Sequence, residues 1–143
     1  MKVHFVTVGK PKLAYAMAGV EEYLGRLRRL HNIRVTHIAD KHAYDPEKIL
    51  EVVAGTTVVA LEITGKSYTS QQLADFLRAR ELESREVSFL IGGPEGLPDE
   101  VRAQANYHWS VGRHTLPHDL AIVVTLEALY RASTINAGLP YHK

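Results

Sequence analysis

The 143-residue chain has no cysteine, which excludes a disulfide framework, a thiolate nucleophile and a thiolate metal site. Charge of one sign is also lacking: 17 Lys and Arg face 16 Asp and Glu, for a formal net charge of +1. A protein so balanced has no broad basic field with which to grip nucleic acid non-specifically. Any such partner must be held by local patches or recognised by shape. No apolar run approaches the roughly 18 to 20 residues of a membrane span. The opening MKVHFVTVGK is too brief and too polar for a signal sequence. A soluble, cytoplasmic protein with no membrane partner is therefore expected.

The common nucleotide and hydrolase fingerprints are missing as well. There is no G-x-G-x-x-G, no G-x-x-x-x-G-K-[ST] and no G-x-S-x-G, and Ser88 and Ser110 fall in strand-like segments. The eight histidines include His108, His114 and His118 as the closest cluster, but Pro117 interrupts any helix that could align the last two and H-E-x-x-H does not occur, so no metal site is expected.

What is present alternates. VHFVTV (3–8), IRVTHIA (33–39), TTVVALEI (56–63) and EVSFLIG (86–92) have the apolar, β-branched character of buried strands. The third is expected to end at Thr64-Gly65-Lys66. Leu13, Met17, Val20, Leu24 and Leu27 recur at helical spacing. Asp45-Pro46 marks a second helix start, Thr69 and Gln72 have the spacing of a capping box, and Pro98-Asp99-Glu100 opens a fourth helix. A short YHWSVG segment precedes a stretch from 120 to 135 that is apolar on nearly every side, as a helix buried in a core or a subunit interface would be. The order β-α-β-α-β-α-β-α-β-α predicts one α/β domain over residues 1–143, with a mostly parallel sheet flanked by helices. Ligands of such sheets sit beyond the carboxyl ends of the strands, which places Gly9, Thr64-Gly65, Gly92-Gly93 and Gly112 along one edge.

Three stretches read two ways. IGGPEGLP (91–98) ends a strand at two glycines, and by spacing alone it is a permissive turn rather than a phosphate cradle. RLRR (26–29) either complements the negative end of a helix or contacts phosphate. LPYHK (139–143) is either a frayed tail or part of a lid or RNA contact.

Taken together, IGGPEGL (91–97), LPH (116–118), TLEALYRA (125–132) and PYHK (140–143), with VTVGK, EEYLGRL and LEITGK earlier, carry a resemblance over essentially the whole chain. The sequence resembles the ribosomal RNA large subunit methyltransferase H family of the SPOUT superfamily. That resemblance implies a C-terminal deep trefoil knot, a rare exception to the rule that chains do not thread loops. It also implies a homodimer with the last helix in its interface. The implied cofactor is S-adenosyl-L-methionine, held by Leu61, Gly92, Gly93, Val111, Gly112, Arg113, His114, Thr115, Leu116 and Pro117. The implied reaction is methylation of N3 of a pseudouridine in 23S rRNA within the 70S ribosome, with DNA excluded as a partner. His142 would serve as base or orienter, Tyr141 as a stacking or hydrogen-bonding group, and Arg131 and Lys143 as electrostatic partners. Lys143 stands where some relatives have arginine, so a bidentate contact is not implied there.

Overall fold

The computed structural model describes residues 1–143. Five strands, β1 (Lys2–Val8), β2 (Asn32–Ile38), β3 (Thr57–Ser67), β4 (Val87–Ile91) and β5 (Tyr107–Ser110), alternate with α1 (Ala14–Leu27), α2 (Pro46–Val52), α3 (Ser70–Glu81), α4 (Asp99–Gln104) and α5 (His118–Ala137). All pairings are parallel, in the order β2-β1-β4-β3-β5.

Side-chain alternation along the strands builds two cores. Val3, Phe5, Val59, Val87, Phe89 and Ile91 face α1, α3 and α5, together with Leu24, Leu77, Ile122, Leu126 and Leu129. Val6, Val8, Val58, Ala60 and Leu90 face α2 and α4, with Ile49, Leu97 and Val101. Both faces of the sheet are covered, as parallel sheets require. Local chemistry sets the helix starts. Asp45 accepts from the Lys48 amide with Pro46 following it, and Thr69 and Gln72 form a full reciprocal capping box.

β3 departs from expectation. It does not end at Thr64-Gly65-Lys66: its pairing with β5 breaks after Leu61↔Trp109 and resumes at Lys66↔Trp109. Residues 62–65 are extruded as a bulge at the carboxyl edge. Gly65 makes this possible, because a Cβ there would sit 2.8 Å from backbone atoms of His108 and Trp109.

After β5 the chain crosses the sheet edge. Ser110 Oγ accepts from the Gly112 amide and donates to the Gly112 carbonyl, turning the chain out of the strand. Segment 111–117 then passes from edge strand β5 to central β1, where His118 Nε2 lies 2.8 Å from the Val8 carbonyl oxygen. Three strand spacings separate those points, about 14 Å, within reach of seven residues. From there α5 runs between α1 and α3, and Gly19 of α1 lies close against Val123. No helix is long and apolar enough to cross a membrane.

Candidate active site

Three chain segments meet beyond the carboxyl ends of β3, β4 and β5: the 62–65 bulge, the turn after β4, and segment 111–117. They enclose a cavity of about 520 Å³, within the range of small-molecule sites. Its apolar wall comes from Leu61, Ile63, Ile91, Leu97, Val111 and Leu116, and the first turns of α5 add Ala121 and Thr125.

The turn after β4 holds its shape through its own backbone. The Gly96 amide donates to the Gly93 carbonyl at 2.9 Å. A Cβ on Gly92 would meet the Gly96 carbonyl carbon at 2.6 Å and the Leu97 nitrogen at 2.7 Å, whereas a Cβ on Gly93 would find nothing closer than 3.7 Å. Gly92 is thus required by the fold of its own loop, independently of any ligand.

Charge in the lining is lopsided. Glu62, Glu95 and Asp99 stand against the single guanidinium of Arg102. Glu62 is largely buried, 2.5 Å from His108 Nδ1 and 3.7 Å from Arg102, and Arg102 also pairs with Asp99. Glu95 accepts from the Tyr44 hydroxyl at 3.0 Å, and that bond holds the Tyr44 phenol above its ordinary pKa. Such a site favours a cationic or neutral ligand and disfavours a phosphate.

At the cavity floor α5 is tied to the opening of α1. Asp119 is buried, and one of its oxygens accepts from the backbone amides of Lys12 and Leu13 at 2.8 and 2.6 Å. These bonds hold its carboxyl below the usual carboxylate range, Leu13 contributing most. Leu13, the residue before α1, has no capping side chain of its own, so Asp119 supplies the cap from 106 residues away.

Of the residues expected to bind a cofactor, Leu61, Gly92, Gly93, Val111, Gly112, His114, Thr115 and Leu116 line this cavity. Arg113 and Pro117 are exposed and do not line it; Pro117 instead stands immediately before α5. Glu62, Glu95, Asp99, Arg102 and His118 also face the cavity, although the resemblance assigns none of them a cofactor contact. A lone carboxylate in an otherwise apolar strand was the available signal for Glu62.

Arg131, Tyr141 and His142 form a second cluster. The Arg131 guanidinium lies 4.8 Å from the Tyr141 ring centre, bonds Glu127 through Nε at 2.9 Å, and places Nη1 3.3 Å from His142 Nδ1. Tyr141 packs on Tyr130 with ring centres 4.7 Å apart and donates to Glu127 at 3.2 Å. Burial first, then Tyr23 and Glu127, push its phenol pKa well up. Lys143 is exposed and joins no ion pair. None of the four lines the cavity: Arg131 lies thirteen positions along α5 from His118, about 20 Å.

Comparison with known proteins places this arrangement. The family described as "Predicted SPOUT methyltransferase" matches residues 1–142. The Deinococcus radiodurans protein named ribosomal RNA large subunit methyltransferase H is 46% identical over 145 aligned positions, covering 100% of this chain and 99% of that one. Its namesake from Acinetobacter baumannii strain ATCC 17978 is 34% identical, with 100% and 99% covered. Among solved structures, a probable methylase family protein from Haemophilus influenzae Rd KW20 superposes with a TM-score of 0.63 at 12% identity, covering 99% of this chain and 70% of that one. A probable methyltransferase from Bordetella pertussis Tohama I gives 0.59 at 13%, covering 92% and 96%. These two likenesses concern the fold. The chain is a SPOUT methyltransferase and belongs to the ribosomal RNA large subunit methyltransferase H family.

Proposed function

We propose that this protein transfers a methyl group from S-adenosyl-L-methionine to N3 of a pseudouridine in 23S rRNA, acting as a cytoplasmic homodimer on the assembled 70S ribosome. The observation that carries the reading is the cavity at the carboxyl edge, with its apolar wall and its three carboxylates against one guanidinium. The donor is a sulfonium cation with an adenine ring and no phosphate. Leu61, Ile91, Val111 and Leu116 offer the ring an apolar wall, backbone groups of 92–97 and 111–116 offer it hydrogen bonds, and the carboxylates favour the positive charge. The path of 111–117 across the strand ends, before α5 packs between α1 and α3, supports the knotted topology expected of the family.

Methyl transfer forms the N3–CH₃ bond, breaks the S–CH₃ bond and releases the N3 proton. A neighbouring cation lowers the cost of the developing anion. Arg131 suits that role. As Arg131 donates to His142 Nδ1, the proton of a neutral imidazole lies on Nε2, so His142 offers a donor to a base carbonyl and serves as an orienter rather than as the base. The separation of this cluster from its own protomer's cavity supports the dimeric reading, in which a second copy brings Arg131, Tyr141 and His142 to the donor. One protein would test the function: calorimetry with S-adenosyl-L-methionine, followed by transfer of labelled methyl to 70S ribosomes, free 23S RNA or transfer RNA. Donor binding with label on ribosomes is expected. Label on transfer RNA alone overturns the substrate, and no donor binding overturns the enzyme reading.

A further inference from the structure

One sequence feature has no part in either cluster: Arg28 and Arg29 of the RLRR run. The preceding Arg26 is engaged, paired with Glu22 at 2.9 Å and set over the Tyr23 and Tyr130 rings at 5.7 and 5.5 Å. Arg28 and Arg29 are exposed. Their side chains make no ion pair and do not bond the carbonyls at the end of α1, so helix-end complementation does not occupy them. With Lys2, also exposed and unpaired, they border a shallow depression of about 750 Å³ at the amino edge of the sheet, lined by Met1, Lys2, Arg28, Arg29, Leu30, His31, Asn32 and Ile33.

No carboxylate lines that depression. The acids nearest it are already committed: Glu81 stands 3.8 Å from the Met1 amino group, and Glu86 pairs with Arg34 at 2.9 Å. On a chain of net charge +1, three free cations around an acid-free hollow are a local exception. Exposed cations around a hollow that no carboxylate lines suit the phosphate backbone of a nucleic-acid strand.

We propose that Lys2, Arg28 and Arg29 hold the phosphate backbone of the RNA substrate where it flanks the target nucleotide. The inference rests on the reading that the substrate is RNA. The length of β1 puts the patch about 20 Å from the cavity of its own protomer, so it contributes to substrate capture and leaves the chemical step alone.

The test is methylation of 70S ribosomes with labelled S-adenosyl-L-methionine across a salt series. It compares the natural protein with the Arg28→Gln/Arg29→Gln double variant, a Lys2→Gln variant and a charge-conserving Arg28→Lys/Arg29→Lys variant. Loss of two phosphate contacts should raise KM for ribosomes about tenfold and flatten the slope of log(kcat/KM) against log salt by about one to two. Lys2→Gln should flatten it by less than one. The lysine variant should keep the natural slope, and kcat, donor affinity and melting temperature should hold throughout. Unchanged KM and slope in both glutamine variants would overturn the surface while leaving the function standing, and so would a loss confined to kcat. If the natural protein labels no RNA, both proposals fall.

Discussion

Asp119 accepts a hydrogen bond from the Leu13 amide at 2.6 Å, so a residue at the start of the last helix caps the first. The same carboxylate oxygen holds the Lys12 amide, and the adjacent His118 touches the end of β1. The final crossover is thereby anchored to the sheet centre at the floor of the cavity. Replacing Asp119 by alanine leaves two amides without their acceptor and should cost about 1 to 2 kcal/mol of stability. Because the carboxyl is held below its ordinary value, its contribution is present above the unfolded carboxyl pKa and is lost as pH falls through the folded one. Denaturant unfolding at pH 7 and at pH 3 should show the variant's deficit shrinking in acid. A deficit of equal size at both would separate Asp119 from the cap.

The two adjacent glycines should behave differently. Gly92→Ala drives a methyl into the Gly96 and Leu97 backbone. It should lower stability by about 1 to 3 kcal/mol and weaken donor binding as the turn shifts. Gly93→Ala meets only ordinary contacts and should keep the melting temperature close to that of the natural protein. Thermal melts of the pair decide the matter, and equal effects would contradict the geometry.

A half-buried histidine ties stability to pH. His31 bonds Ser133 through Nε2 at 2.8 Å and faces the Met1 amino group at 3.4 Å. Burial first, then that positive charge, lowers its pKa to about 4. Between the unfolded value near 6.5 and about 4, only the unfolded chain takes up the proton, so stability rises with pH across this window. His4 and His37, lowered chiefly by burial, act in the same direction. NMR titration should keep the His31 ring neutral down to about pH 4. A midpoint near 6.5 would refute the burial argument.

For the chemistry, His142→Ala and Arg131→Ala should each retain donor affinity and lose most turnover, Arg131 the more because it also orders Tyr141 and His142. Calorimetry and single-turnover assays together separate binding from chemistry. Unchanged turnover in His142→Ala would remove that residue from the mechanism.

Much of this architecture is legible from periodicity and end chemistry. The Thr69–Gln72 box and the Asp45-Pro46 start each encode their element locally, and both form as expected. The helical spacing is met by Val20, Leu24 and Leu27, which are buried, but Leu13 stands before α1 and both it and Met17 are exposed. The β3 bulge is not legible in this way. Thr64-Gly65 reads as a strand end, but the strand resumes because Gly65 can lie against β5, a partner distant in sequence whose register no local pattern specifies. The charge of the cavity was hidden for the same reason. Glu62, Glu95, Asp99 and Arg102 become neighbours only when the bulge, the turn after β4 and α4 close on one another. The cofactor contacts expected of Gly92 and Leu116 rest on motif resemblance, and the fold places both residues in the lining of the cavity.

The most direct test of the account is mass spectrometry of nuclease-digested 23S rRNA after incubating 70S ribosomes from a strain lacking the activity with this protein and S-adenosyl-L-methionine. The account predicts one new nucleoside, a pseudouridine carrying a methyl group on N3. Methylation of any other nucleoside, or an unmodified 23S rRNA beside methylated transfer RNA, would contradict it.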